Sequence, residues 1–149
     1  MPNTPCLIGQ GMCVLDLDTS LTKDDMELAS RIFESVGKVE KLPASLINAV
    51  TGVSGSGPAY VYIFIEAMAD AGVLNGLPRD IAYKLAAQTV LGSAAMVLES
   101  GEHPGKLKDA VCSPGGTTIE AVYALERKGF RSAVITAVND CTEKAKALS

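Results

Sequence analysis

The sequence contains no tryptophan, and phenylalanine and tyrosine together make up only 5% of its 149 residues. Ala, Val, Leu and Ile must therefore fill the interior. Small side chains let helices approach closely, so the composition leans helical. There is a single histidine, His103, and four cysteines, Cys6, Cys13, Cys112 and Cys141, of which no two are spaced Cys-x-x-Cys. That scarcity argues against a structural zinc site. A disulfide framework is disfavoured as well, because the chain is long, its cysteines are few and no signal peptide opens it. Reduced thiols, packed as small buried hydrophobes, are expected. Basic residues are outnumbered, 13 Lys and Arg against 17 Asp and Glu, for a net charge of −4. This rules out a polybasic binder of nucleic acid or anionic membrane as the default reading. The most apolar run, Ala59 to Ile65, is broken by Glu66 and Asp70, short of the ~20 apolar residues of a membrane span, so a soluble protein is expected. No internal repeat or low-complexity tract is found. At 48% hydrophobic and 20% charged residues, the chain is apolar enough to bury a core.

The first forty residues read as one strand–helix–strand unit. Residues 11–17 form a short β-like run. Residues 22–36 form an amphipathic helix with Thr22 as N-cap, Asp24 and Asp25 in the first turn, and Gly37 as the C′ residue that ends it. Residues 38–42 read as the second strand. Two strands cannot bury both faces of a sheet, so this unit belongs to something larger. After Pro43 the pattern becomes all-helical. Between Leu42 and Pro78 only Glu66 and Asp70 carry charge, and Ala59 to Ala71 is apolar almost all round, as in an enclosed helix. A turn over 75–78, with Pro78 near the first helical position, leads into a helix over about 79–99. Gly92 inside that helix costs propensity, which predicts another backbone packed against it. Helices follow Pro104, over 117–128 and over about 131–147. The boundary is placed near residue 43.

Two segments can carry chemistry. Gly52-Val53-Ser54-Gly55-Ser56-Gly57-Pro58 reads as a glycine-rich turn opening a helix. It could cradle phosphate on free amides, or it could be a tight entry into a buried helix with glycines for close packing. It matches neither the G-x-G-x-x-G dinucleotide fingerprint nor Walker A nor a nucleophile elbow. The second is Cys112-Ser113-Pro114-Gly115-Gly116-Thr117-Thr118-Ile119-Glu120. Thr117 and Glu120 are spaced as a capping box, and the free first-turn amides beside the Ser113 and Thr118 hydroxyls suit a carboxylate or phosphate. An ordinary capped helix after a Pro-Gly-Gly turn fits the same residues. His103, beside Pro104, reads as a capping or surface residue. The stripe Ile63, Ala67, Ala71 reads as core or subunit interface. Lys106, Lys108 and Asp109 read as a solvated helix face.

Taken together, Met1-Pro2-Asn3-Thr4-Pro5, the long run Val50 to Tyr60, Gly76-Leu77-Pro78-Arg79, Ala87-Gln88-Thr89, His103-Pro104 and Ser113 to Ile119 resemble pyrroline-5-carboxylate reductase over essentially the whole chain. The resemblance implies a mainly α chain. Residues 1–42 would be the C-terminal remnant of a Rossmann-type NAD(P)-binding domain. Residues 43–149 would be an all-α dimerisation and substrate-binding domain, like the C-terminal domain of 6-phosphogluconate dehydrogenase. It also implies hydride transfer from NADPH or NADH to the C=N bond of 1-pyrroline-5-carboxylate, giving L-proline, in a homodimer or larger homo-oligomer in the cytoplasm, or in the mitochondrion of an animal. Thr118 matches the threonine whose hydroxyl meets the ring nitrogen. Ser113, Gly115, Gly116 and Thr117 match the carboxylate loop, with the Gly116 and Thr117 amides as donors. Asn3 and Thr4 match a segment near the nicotinamide, and Gly52 to Pro58 one that shapes the site's floor. The family's Met-Pro-Asn-Thr-Pro segment lies late in its cofactor domain, so residues 1–149 are expected to be inactive alone. Two other readings stay open: a non-catalytic dimerisation module derived from the reductase, and a domain of a different NAD(P)H-dependent dehydrogenase, which would need an acid lysine that the sequence does not show.

Overall fold

Thr22 opens the first helix as its spacing predicts. Its hydroxyl accepts the Asp25 amide at 3.2 Å, and the Asp25 carboxylate accepts the Thr22 amide at 3.2 Å, a reciprocal capping box. The Thr22 hydroxyl, which also donates to Asp25 Oδ2 at 2.6 Å, and then the Thr22 amide hold the Asp25 carboxyl below its ordinary pKa. Helix α1 (Lys23–Glu34) connects strands β1 (Gly11–Asp16) and β2 (Gly37–Leu42). The strands pair in parallel from Gly11↔Gly37 to Asp16↔Leu42. The computed structural model describes all residues, Met1–Ser149, and divides into two compact units, Met1–Tyr60 with Val134–Ser149, and Val61–Ala133.

In the first unit, Cys13 and Val14 are consecutive and both buried. Side chains alternate along a strand, so β1 is covered on both faces, as parallel strands usually are. Gly37 does not cap α1. Ser35 does, in right-handed conformation, and Gly37 begins β2 with no positive φ. Its glycine is required by space: a Cβ there would overlap the Gly11 carbonyl across the ladder. A short 3-10 turn (Thr4–Ile8) precedes β1. After β2 come α2 (Ile47–Val50) and a π-helical turn (Thr51–Gly55) that runs into α3 (Gly57–Leu74). The Gly52–Pro58 segment is thus helical rather than an open glycine turn. None of its glycines has a positive φ, and the Ser56 amide is taken by the Thr51 carbonyl at 2.8 Å. Gly52 is buried where a Cβ would overlap Thr142 Oγ1 on α7 (Phe130–Leu148), so the close-packing reading holds at that position and the phosphate cradle does not form. Of the four free cysteines only Cys13 is buried, the other three being half-exposed, because each lies at an element end or on a helix flank rather than on a covered strand.

In the second unit, α3 turns at Gly76, φ 95°, into α4 (Arg79–Ser100), with Pro78 as its N-cap. The helices meet through Ala69, Ala82 and Ala86, all buried, flanked by Ile65, Met68 and Val73. Gly72 completes the close approach, since a Cβ there would lie 3.3 Å from that of Ala82. Asp70 pairs with Arg79 across the turn, and Arg79 lies 5.7 Å from the centre of the Tyr83 ring. Then come α5 (Pro104–Ala110) and α6 (Thr117–Arg127). His103 caps α5, its Nδ1 accepting the Gly105 amide at 3.0 Å. Lys106 pairs with Glu102 and Lys108 with Asp109, the latter pair raising the Lys108 pKa. Phe64 and Phe130 stack obliquely at 5.7 Å.

These alanine contacts bury little. The chain exposes 10398 Å², whereas a folded monomer of its mass exposes about 7,200 Å² and two separate bodies of half that mass about 8,700 Å². Ile63 is 66% exposed, and Ala67 and Ala71 are exposed too, so that stripe is not core of this chain. No atom lies within 4 Å of a Cβ built at Gly92, so the backbone expected against it does not come from this chain. Helix α4 is long and apolar enough to cross a membrane by length and composition. A count of consecutive apolar residues misses this because its apolar positions are interrupted by Gln, Ser and Gly.

Gly37→Ala should collapse the parallel ladder. The overlap is with backbone, which cannot rotate away, so a cost of about 3 kcal/mol is expected, at the upper end of overpacking. Amide hydrogen exchange checks this. Protection across 11–16 and 37–42 should fall roughly 10²-fold, while amides of 65–86 keep theirs.

Candidate functional site

Helix α5 ends at Ala110, and the chain then turns tightly before α6. Ser113-Pro114-Gly115-Gly116 is a β-turn closed by the Gly116 amide on the Ser113 carbonyl at 3.0 Å. Proline at its second position and Gly115 at φ 66° in the third satisfy the type II pattern, which needs left-handed backbone there. Gly116 is extended (φ −79°, ψ 168°) and is the N-cap of α6, with no side chain bonded to the cap. A Cβ on Gly116 would overlap Ser113 Oγ. Only a glycine cap lets that hydroxyl lie against the helix start.

The Thr117–Glu120 capping box does not form. Closure of the turn fixes Gly116 as the extended residue, so Thr117 is already helical, and Glu120 stands at the fourth helical position rather than the third. The Glu120 amide reaches the Gly116 carbonyl at 3.4 Å. The amides of Thr117, Thr118 and Ile119 precede the first intrahelical bond and have no backbone acceptor. The Gly116 amide, by contrast, is spent inside the turn and is not available to a ligand. One glycine-capped helix start therefore offers three convergent N–H donors, the positive end of the helix dipole, an exposed Ser113 hydroxyl and the half-buried Thr118 side chain. No charged side chain lies between Ser113 and Ile119. The arrangement suits a small anion held by hydrogen bonds. Ser113, Gly115, Gly116, Thr117 and Thr118 are thus brought together. Asn3 and Thr4 belong to the other compact unit.

Asn3 is fully engaged within its own unit. Its Nδ2 donates to the Ser54 carbonyl at 3.1 Å, and its Oδ1 accepts the Met12 amide at 2.9 Å. The side chain ties β1 to the π-helical turn. Thr4, the first residue of the 3-10 turn, is exposed. Sequence reasoning passes over a polar cluster beside that turn. Cys141 on α7 donates to Ser56 Oγ at 3.1 Å. The Tyr60 hydroxyl is buried against them without a well-formed hydrogen bond, and the neighbouring Cys141 thiol, then burial, push its pKa up. Eighty-odd residues separate Tyr60 from Cys141, and no local pattern signals such a contact.

Known proteins share this sequence and fold. The sequence profile of the pyrroline-5-carboxylate reductase dimerisation family matches residues 44–148. The pyrroline-5-carboxylate reductase of Escherichia coli is 58% identical over all 149 residues, and that of Pisum sativum 52%; in each case the match covers 100% of this chain and 55% of the relative. The chain thus spans about half the length of these relatives. Among solved structures, the Plasmodium falciparum pyrroline carboxylate reductase with NADP bound superposes with a TM-score of 0.92 at 41% identity, covering 99% of this chain and 60% of that one. The Coxiella burnetii pyrroline-5-carboxylate reductase gives 0.94 at 38%, covering 100% and 56%. With its helical portion matched by the family's own profile and its fold by solved members, the chain belongs to the pyrroline-5-carboxylate reductase family.

Proposed function

We propose that this chain supplies the substrate-binding and dimerisation part of an NAD(P)H-dependent reductase that converts 1-pyrroline-5-carboxylate to L-proline in the cytoplasm. Residues 1–42 serve as the end of a cofactor domain and residues 43–149 as the helical domain. The observation that carries this reading is the glycine-capped start of α6. Its free amides (Thr117, Thr118) and the Ser113 hydroxyl receive the substrate carboxylate. The Thr118 hydroxyl donates to the ring nitrogen and polarises the C=N bond. In the reductase reaction a reduced nicotinamide supplies the hydride to the ring carbon.

The residues present do not fit the cofactor's pyrophosphate. That group needs a glycine turn at a helix N-terminus after a strand. The β1–α1 link from Leu17 to Thr22 has no glycine, and the start of α1 is closed by its capping box and carries Asp24 and Asp25, which repel an anion. What this chain can offer the nicotinamide end is the exposed Thr4 hydroxyl, on a segment that the Asn3 bonds hold in place. The chain alone should therefore show no turnover, and fluorescence titration should detect no tight NAD(P)H binding. Fusing the N-terminal part of the Escherichia coli relative ahead of Met1 should restore activity. If neither the chain nor the fusion reduces the substrate, the catalytic reading is lost and a purely assembling module remains.

Within that fusion, Thr118→Val should cut kcat roughly 10²–10³-fold. A preorganised donor that strengthens toward the transition state is worth that much in well-studied cases. The helix cap is Gly116 and no bond of the Thr118 hydroxyl is lost within the fold, so the melting temperature should stay within a degree or two. Ser113→Ala should instead raise KM with little change in kcat, because a carboxylate is bound alike before and during hydride transfer. Steady-state kinetics with paired melting curves separate the two outcomes.

The uncovered faces of α3 and α4, over about 59–72 and 79–99, are taken up by a second copy of the chain. A patch of their extent is well beyond the ~300–600 Å² of a typical monomer, and the open space at Gly92 admits a partner's backbone. Light scattering at micromolar concentration should give at least twice the 15.5 kDa chain mass. A folded monomer would refute this assembly.

A further inference from the structure

Cys6 and Cys13 form the one sulfur–sulfur contact of the molecule, at 3.6 Å. Cys6 lies on the 3-10 turn (Thr4–Ile8), and Cys13 is on β1 with no exposed surface. The turn that returns the chain is tight. Gly9 is left-handed at φ 72°, its amide bonds the Cys6 carbonyl at 3.1 Å, and the Gln10 amide bonds the Pro5 carbonyl at 3.1 Å. Gly11 makes room for the contact, since a Cβ there would overlap Cys6 Sγ. The backbone thus holds two thiols of one unit face to face. Joining them at the ~2.05 Å of a disulfide brings the sulfurs together by roughly 1.5 Å.

We propose that Cys6 and Cys13 are a reversible two-electron modification site, converted to an intramolecular disulfide by a peroxide. The Cys6 sulfur, half-exposed, attacks a peroxide oxygen. The O–O bond breaks, the released hydroxide takes up a proton as water, and Cys6 becomes a sulfenic acid. The Cys13 sulfur then attacks the Cys6 sulfur. The S–S bond forms, the S–O bond breaks, and the departing hydroxyl leaves as a second water with the Cys13 proton. Two electrons pass from the two sulfurs to the peroxide, and a dithiol reductant reverses the change. The order of the steps follows from accessibility. Burial, and then the adjoining Cys6 sulfur, also raise the Cys13 pKa, which disfavours its thiolate. Neither remaining cysteine has such a neighbour, Cys141 bonding Ser56 Oγ instead. The disulfide pins the 3-10 turn to β1 beside the Asn3–Thr4 segment.

The purified full chain, treated with one equivalent of hydrogen peroxide and alkylated, tests this by peptide mass spectrometry and thiol titration. Free thiols should fall from the four present to two. The fragment holding residues 6 and 13 should lose the mass of two hydrogens and escape alkylation, and dithiothreitol should restore it. Cys112→Ser with Cys141→Ser should leave the reaction intact. Cys6→Ser should abolish it, leaving Cys13 alkylated only after unfolding. Cys13→Ser should trap a sulfenic acid at Cys6, detectable with dimedone, and circular dichroism confirms that each variant is folded. A disulfide through Cys112 or Cys141, a link between two chains, or stepwise oxidation of Cys6 to sulfinic acid with Cys13 still free would each overturn the proposal.

Discussion

At four close approaches in this chain, one partner is a glycine. Gly37 faces the Gly11 carbonyl across the ladder, Gly52 lies under Thr142 and Val138, and Gly72 and Ala82 bring α3 and α4 together. Gly116 lets the Ser113 hydroxyl rest on the start of α6. The same rule, space obtained by omitting a Cβ, sets the strand register, seats the π-helical turn and shapes the start of α6. Packing at interior density leaves no room for a ring between backbones held this close.

This way of packing has a thermodynamic consequence. A buried methyl is worth about 0.8 kcal/mol of transfer free energy, far less than the 1.5–3 kcal/mol of a buried Leu or Ile side chain. A core built on Ala69, Ala82 and Ala86 stabilises its unit weakly, while Ile63, Leu85, Leu91 and Leu98 on the same two helices remain in water. Stability is thus deferred to whatever covers those faces. The helices carry their own means of docking: a surface dominated by small and apolar residues admits another helix at short distance, as Ala69 and Ala82 already do within the chain.

Much of this was legible in the sequence, for identifiable reasons. Thr22, Asp24 and Asp25 signal the start of α1 because capping chemistry is local. Pro78 and Pro104 mark helix starts because a missing amide is harmless only there. The helix of the strand–helix–strand unit follows from apolar spacing, α3 from a run that is apolar almost all round, and α4 from the turn and Pro78 that precede it. What escaped was set by contacts rather than by local preference. Gly37 stands where a C′ glycine would, yet its role is clearance from a strand that precedes it by some twenty-five residues. The Gly52–Gly57 run carries every mark of an open turn, yet α7 packs on it and keeps it helical, with one carbonyl reaching five residues ahead. The contacts of Asn3 with Ser54 and of Cys141 with Ser56 span long stretches of the chain and leave no periodic trace.

The one-residue error at α6 shows how stability and binding divide a helix terminus between them. A threonine cap would have turned its own oxygen onto a first-turn amide and satisfied it permanently. Ser, Thr, Asp or Asn in that role stabilises a helix by about 1 kcal/mol relative to Ala, whereas glycine gives up only a few tenths of that. With Gly116 at the cap, the donors of Thr117, Thr118 and Ile119 stay unpaired within the fold and point where the dipole is positive. The type II turn then fixes the Ser113 hydroxyl beside them without any side chain having to reorganise. The threonines, one and two positions beyond the cap, keep their hydroxyls out of the capping role. A site of this kind is preorganised because the fold has left its donors unused, at a cost in helix stability small enough for the surrounding elements to absorb.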